Sequence, residues 1–184
     1  MPLSGMYTGM GHILYEWNEL ERAEEMLIKA IEGCEQKREV FLLAISYLYL
    51  IDVRLAQGMV EEAQALLDTV EQMLAHRRTV IPFNTTIPEY QVRIWLAQNQ
   101  LDRAMNWVNR RQRQGKSSLS YLYAYDYLTI IKVLLAQVRA RKTSLGQPPL
   151  DEVLHLVQGI RQAAEEDNRE GQAIKARALE ALIL

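Results

Sequence analysis

The sequence predicts an all-α chain, a right-handed α-solenoid of tandem antiparallel helix pairs, and three observations predict it. One block of residues recurs three times with its turn residue at Asn18, Gly58 and Asn99, 40 and 41 residues apart, and a fixed period of this size marks stacked supersecondary units. The 184 residues hold only 9 Gly and 5 Pro, and Pro82, Pro88, Pro148 and Pro149 gather at two places, leaving long stretches without helix breakers. Within those stretches apolar residues return every three or four positions, the helical period. With 49% hydrophobic and 24% charged residues, the chain has the composition of a domain that buries a substantial core.

The three aligned copies run from Leu14 to Leu27, from Arg54 to Leu67 and from Trp95 to Val108. Asn or Gly stands at the turn because these residues best tolerate the left-handed conformation that ends one helix and admits the next. Two positions on comes an apolar anchor, Leu20, Val60 or Leu101. An acid follows it, Glu21, Glu61 or Asp102, where the first turn of a helix presents its positive dipole end. Ala23, Ala63 and Ala104 then mark a crossing too close for larger side chains. Four residues later Leu27, Leu67 and Val108 share their face and fill the space between the helices.

A fourth copy begins at Leu135-Ala136-Gln137, which repeats Leu55-Ala56-Gln57 and Leu96-Ala97-Gln98. Its turn is expanded by Arg139 to Pro149, and the second helix resumes at Leu150 with Val153 at the small-residue position. An insertion of this kind is by default a surface loop. Glu170 to Leu184 reads as the first helix of a fifth pair, with Ala173, Ile174, Ala176, Leu179, Ala181 and Leu182 apolar. The expected organisation is one helical-repeat domain over residues 1–184, with repeats at 4–37, 38–79, 85–115 and 117–167 and an incomplete unit at 169–184. Stacked repeats usually end in a polar face. The apolar end Ala181-Leu182-Ile183-Leu184 therefore leads us to expect a piece of a longer protein, able to self-associate through its C-terminal helix.

Gly11, Leu14, Ala23, Leu27 and Ala30 resemble the tetratricopeptide pattern. Tyr7 replaces the usual early Trp, the terminal Pro is missing, and the period exceeds the usual ~34 residues. Long helices with Leu-Ala-Gln-Gly before a short turn and Glu-Glu-Ala-x-x-Leu-Leu after it are similar to the helical-repeat region of MalT-like, large ATP-binding LuxR-type bacterial transcription regulators. That resemblance implies a sensing or protein-interaction segment lying between a nucleotide-binding module and a DNA-reading helix–turn–helix. The 184 residues contain neither a Gly-x-x-x-x-Gly-Lys-Ser/Thr loop nor a basic recognition helix. The expected function is effector sensing or partner binding with no catalysis and no cofactor. The alternative is a free-standing tetratricopeptide-type adaptor that holds a partner peptide in its concave groove.

In paired-helix solenoids the first helix of each pair lines the concave surface. One position there holds His12, Asp52, Arg93 and Lys132, polar in all four copies, and Tyr49, Glu89, Tyr90 and Thr129 extend the strip. These eight residues are the candidate site for a protein partner or a small effector. A solvated helix face with ion pairs between repeats would produce the same pattern. Tyr121, Tyr123, Tyr125 and Tyr127 alternate, as do Tyr47 and Tyr49. Because Leu128, Ile131, Leu134 and Leu135 continue a helical stripe, the tyrosines are read as distributed around a helix. Core packing is the expected role for most of them, with hydroxyls reaching the surface, and an aromatic wall for sugars or peptides is the alternative for some.

Other chemistries find little support. A formal net charge of −2 offers no general attraction to nucleic acid or anionic membrane. The run Arg110-Arg111-Gln112-Arg113-Gln114-Gly115-Lys116 reads as a helix end, its cations matching the dipole and Gly115 capping it. His12, His76 and His155 are far apart in sequence and Cys34 is the single cysteine, so neither a metal site nor an internal disulfide is expected. Cys34 is read as a buried packing residue. Glu24-Glu25, Glu61-Glu62 and Glu165-Glu166 are expected on exposed second-helix faces. With no basic-then-apolar leader and no apolar run long enough for a bilayer, the expected location is the cytoplasm.

Overall fold

A computed structural model describes residues 3–75, 83–113, 124–140 and 150–183. His76, Pro82, Gly115, Tyr121, Tyr123, Pro148, Pro149 and the expanded turn at 141–149 lie outside these described residues. Every element among the described residues is a helix. The chain divides into two compact units, Met1–Phe83 and Asn84–Leu184.

The first unit contains α1 (Leu3–Glu16), α2 (Leu20–Lys37), α3 (Val40–Ala56) and α4 (Val60–Ala75). Each helix packs on the next, and α1 also lies against α3, as a helical solenoid of the tetratricopeptide kind requires. The second unit contains α5 (Phe83–Ala97), α6 (Leu101–Arg113), α7 (Ala124–Ala140), α8 (Leu150–Glu166) and α9 (Glu170–Ala181). Here α6 packs on α7, α7 on α8 and α8 on α9, with α7 also against α9, while Val92 of α5 joins Ala104 and Val108 of α6 in one cluster. Pro88 sits inside α5, where its ring removes one helical N–H donor. Tyr125 and Tyr127 fall within α7, as the helical reading of these two tyrosines expects.

Turn chemistry is uniform. Asn18, Gly58 and Asn99 all have positive φ, at 60°, 78° and 58°, as expected from their residue types. At the first of them Glu19 N–H donates to Leu14 O and Asn18 N–H to Tyr15 O, both at 2.9 Å. These two bonds, of the Schellman kind, satisfy carbonyls that the helix end leaves open. The same pair of bonds closes α3 at Gly58 and Met59 and α5 at Asn99 and Gln100. Among the described residues two further left-handed ones appear, Arg38 after α2 and Asn168 after α8. The sequence signals the second by its Asn but not the first, since arginine has no special tolerance for this conformation.

Ala23, Ala63 and Ala104 are fully buried, as are Leu27 and Leu67, with Val108 nearly so. The five residues that carry the tetratricopeptide pattern, Gly11, Leu14, Ala23, Leu27 and Ala30, are all buried. Gly11 shows why the crossing is close. A Cβ there would lie 2.6 Å from Leu27 Cγ and 3.2 Å from the Ala23 carbonyl oxygen, so α1 meets α2 almost backbone to side chain. At the other end of this crossing a Cβ on Gly33 would lie 2.7 Å from Ser4 Oγ. Between α1 and α3, Thr8 Oγ1 and Ser46 Oγ share a buried hydrogen bond of 2.8 Å.

Leu128, Ile131 and Leu135 of α7, Val153, Val157 and Ile160 of α8, and Ala176 and Leu179 of α9 form the corresponding core of the second unit. Val153 is buried at the position that holds Ala in the other copies. Ile174 of α9 and Leu182 just after it are exposed, so the apolar residues expected there do not all face the core.

Two glycines of α1 separate packing from helix propensity. Gly11→Ala is expected to destabilise the folded chain by about 1–3 kcal/mol through overpacking against Leu27. At Gly9 an added Cβ would meet nothing within 4 Å, and replacement by Ala there should stabilise the chain by roughly 0.5–1 kcal/mol. Chemical denaturation of the two variants beside the parent measures both, and equal shifts of the same sign would show that the α1–α2 crossing is looser than described.

Candidate functional site

The eight candidate residues fall into two groups, one per unit. In the first unit His12 of α1 stacks on Tyr49 of α3, with ring centroids 4.3 Å apart and planes inclined by 25°. His12 Nε2 lies 3.6 Å from Glu16 Oε1, one turn along the same helix. Both rings are half-buried, and Asp52, one turn after Tyr49, is buried. The arrangement leaves an aromatic surface partly open to water beside a carboxylate that is not.

In the second unit Glu89, Tyr90 and Arg93 lie on one stretch of α5, and Thr129 and Lys132 lie one turn apart on α7. Thr129 Oγ1 donates to Glu89 Oε1 at 2.9 Å, tying the two helices together. The Arg93 guanidinium stands 4.9 Å from the centre of the Tyr90 ring, within cation–π range. Tyr90 and Thr129 are buried, Glu89 and Arg93 half-buried and Lys132 exposed. The strip is therefore drier than a solvated face: Asp52, Tyr90 and Thr129 have been taken into the packing, because on a first helix the same turn must serve both a neighbouring helix and the open side.

Among the described residues, the most connected polar cluster was not among the candidates. Arg54 at the end of α3 grips Glu24 of α2 with both terminal nitrogens, each contact at 2.7 Å, and its Nε lies 3.0 Å from Glu62 of α4. Gln57 accepts from Arg54 at 2.9 Å and donates to Glu24 at 3.0 Å. The Arg54 side chain is only 14% exposed, so this fork of charge-assisted bonds sits where it joins three helices. Glu24 is thus half-buried and paired, a correction to its expected place on an exposed face, while Glu25 is exposed and bonded to Lys29 at 2.6 Å. The sequence signal for the cluster was the Gln of the repeated Leu-Ala-Gln. Gln57 is half-buried, and Gln137 of the fourth copy is buried. In the second unit, Arg161 of α8 reaches Glu180 of α9 at 3.1 Å and Arg177 reaches back to Glu165 at 2.8 Å.

Hydrogen bonds from Arg54 hold the Glu24 carboxyl below its usual range against the opposing effect of burial, with Gln57 and the Arg54 charge adding to the effect. Burial pushes the Cys34 thiol up, opposed in part by hydrogen bonds with Ser4 and Ser46; a raised thiol pKa suits a packing residue better than a nucleophile. Burial also raises the Tyr47 hydroxyl, with Glu35 contributing, and that hydroxyl donates to Glu35 at 3.2 Å, one tyrosine whose polar end reaches the surface. Among the described residues no group of three or more His, Cys, Asp or Glu could hold a metal ion, and no helix is long and apolar enough to cross a membrane.

The family described as the MalT-like TPR region matches residues 1–184, the whole chain. The chain belongs to that family. Its repeated turns, buried alanines and successive helix packing are those of the family's helical-repeat architecture, a type that typically serves without catalysis. No curated protein and no solved structure matches the chain.

The Glu24–Arg54 pair sets a pH dependence. A carboxyl whose folded-state pKa is depressed contributes stability that is present above its unfolded value, about 4.3, and is lost as pH falls through the lower folded value. Melting temperatures of the parent and Glu24→Gln should therefore differ at pH 6 and converge as the solution is acidified below pH ~4. A gap that stays constant into acid would mean that the pair contributes nothing through its charge.

Proposed function

We propose that this MalT-like helical-repeat region senses an effector or binds a protein partner through the first-helix strip, as part of a bacterial transcription regulator. One observation carries the reading. The same helical register holds His12 and Asp52 in the first unit and Arg93 and Lys132 in the second, and it is flanked by aromatic rings that stack on His12 or carry Arg93. Packing alone would be satisfied by Leu or Ala at these places. Aromatic faces with charged groups beside them recognise ligands that combine an apolar face with hydroxyl, amide or anionic groups. Sugars, nucleotides and peptides all have that character.

Thermal shift against sugars, nucleotides and short peptides tests the reading, because a ligand that binds only the folded state stabilises it by about 2.7 kcal/mol at a hundred times its Kd. A true ligand should raise the melting temperature progressively with concentration, and Arg93→Glu combined with Lys132→Glu should abolish or strongly reduce that rise. Peptide hits alone would favour the adaptor reading over effector sensing. If a ligand is found and its shift survives the double charge reversal and also His12→Ala, the strip is not its site.

A further inference from the structure

The strip differs in charge between the two units. In the first its register holds a histidine and an acid, His12 and Asp52; in the second it holds two cations, Arg93 of α5 and Lys132 of α7. The packing of α5 on α7 puts these cations side by side. Glu89 and Thr129 are joined by a hydrogen bond of 2.9 Å, and Val92 of α5 shares a core cluster with Ile130 and Val133 of α7, so the two helices advance in the same direction with matched turns. One turn beyond the Glu89–Thr129 bond, α5 carries Arg93 and α7 carries Lys132 on that same side. The nearest acid in sequence to either of them on these helices is Glu89, one carboxylate for two cations, and it accepts the Thr129 hydroxyl. Like charges set against each other cost free energy, and the core beneath, filled by Val92, Ile130 and Val133, does not require them.

We infer that the second-unit part of the strip binds an anionic group, a carboxylate or a phosphate, between Arg93 and Lys132. The inference rests on the reading of the strip as the binding surface and adds the chemistry of its ligand. Tyr90 is 7% exposed, so its ring is a fixed backing, and the Arg93 guanidinium stands over it at 4.9 Å from the ring centre. Such a contact restricts a long side chain yet leaves the edge of the guanidinium for oxygen acceptors, and a planar fork of N–H donors matches two oxygens of one carboxylate or phosphate. Lys132, exposed on the adjacent helix, adds a point charge to the same group. Because Arg93 is half-buried, its attraction for an anion is screened less than that of a cation standing free in water. The first unit offers no such place, since Glu16 lies 3.6 Å from His12 and Asp52 occupies the next position of the register.

Melting of the whole chain in sodium phosphate and in sodium acetate, each against sodium chloride at matched ionic strength, separates specific binding from general screening. Phosphate, acetate or both should raise the melting temperature saturably above the chloride value, and the salt that does so identifies the anion class. Arg93→Gln and Lys132→Gln, with helical circular dichroism retained, should each raise the apparent dissociation constant on the order of tenfold. Arg93→Lys, which keeps the charge and loses the fork, should recover only part of the affinity, and Lys29→Gln, which removes an exposed cation of α2, should leave it unchanged. A chain that responds to neither anion beyond chloride overturns the inference, as does a response that survives Arg93→Gln combined with Lys132→Gln. A neutral sugar whose thermal shift is lost in His12→Ala, in a chain indifferent to both anions, sinks the inference and leaves the strip reading standing. If sugars, nucleotides, peptides and both anions all leave the melting temperature unmoved, the two fall together.

Discussion

Everything in the first unit depends on how closely α1 and α2 cross. Gly11 leaves room for the Leu27 side chain to sit almost on the α1 backbone, beside the Ala23 carbonyl. A protein interior packed at crystal-like density cannot absorb an added methyl group at such a point. The crossing therefore sets the distance between paired helices, and Ala63 and Ala104 hold the equivalent position in the next two pairs. Where Val153 replaces Ala in the fourth copy, the larger side chain is still fully enclosed, packed among Leu128, Ile131 and Val157.

The turns make this crossing repeatable. A left-handed residue followed at once by the next helix returns the chain within three residues, and the paired Schellman bonds leave few open carbonyls at each helix end. Asn and Gly accept that conformation cheaply, whereas Arg38 adopts it at a cost of roughly 1–2 kcal/mol that the packing of α2 on α3 must offset. Polar staples then lock neighbouring helices from the outside. Arg54 joins α2, α3 and α4, and Arg161 and Arg177 join α8 to α9. Being planar and able to make two parallel bonds, arginine can hold a carboxylate in one orientation as lysine cannot.

The same helices carry the candidate strip, and its two groups differ in character. In the first unit a half-open stacked pair faces water beside a buried acid. In the second, an arginine lies over a tyrosine whose ring is enclosed, and the exposed cation is Lys132.

The sequence by itself determined the helix pairs, their period, three of the left-handed turns and the small residues at the crossings, because each of these is a local demand on one residue type: a Cβ either fits or does not, and a backbone angle is either tolerated or costly. The tertiary structure alone decided which polar residues face water. Asp52, Tyr90 and Thr129 occupy strip positions yet are buried, and Glu24, one of a pair of neighbouring acids, is drawn into a fork with Arg54 while Glu25 stays outside. Helical periodicity assigns a residue to a side of its own helix, but burial depends on what the next helix brings to that side, and α3 reaches Glu24 with a side chain thirty positions away in the chain. Arg38 belongs with these, since only the packing of its neighbours compels an arginine to turn left-handed.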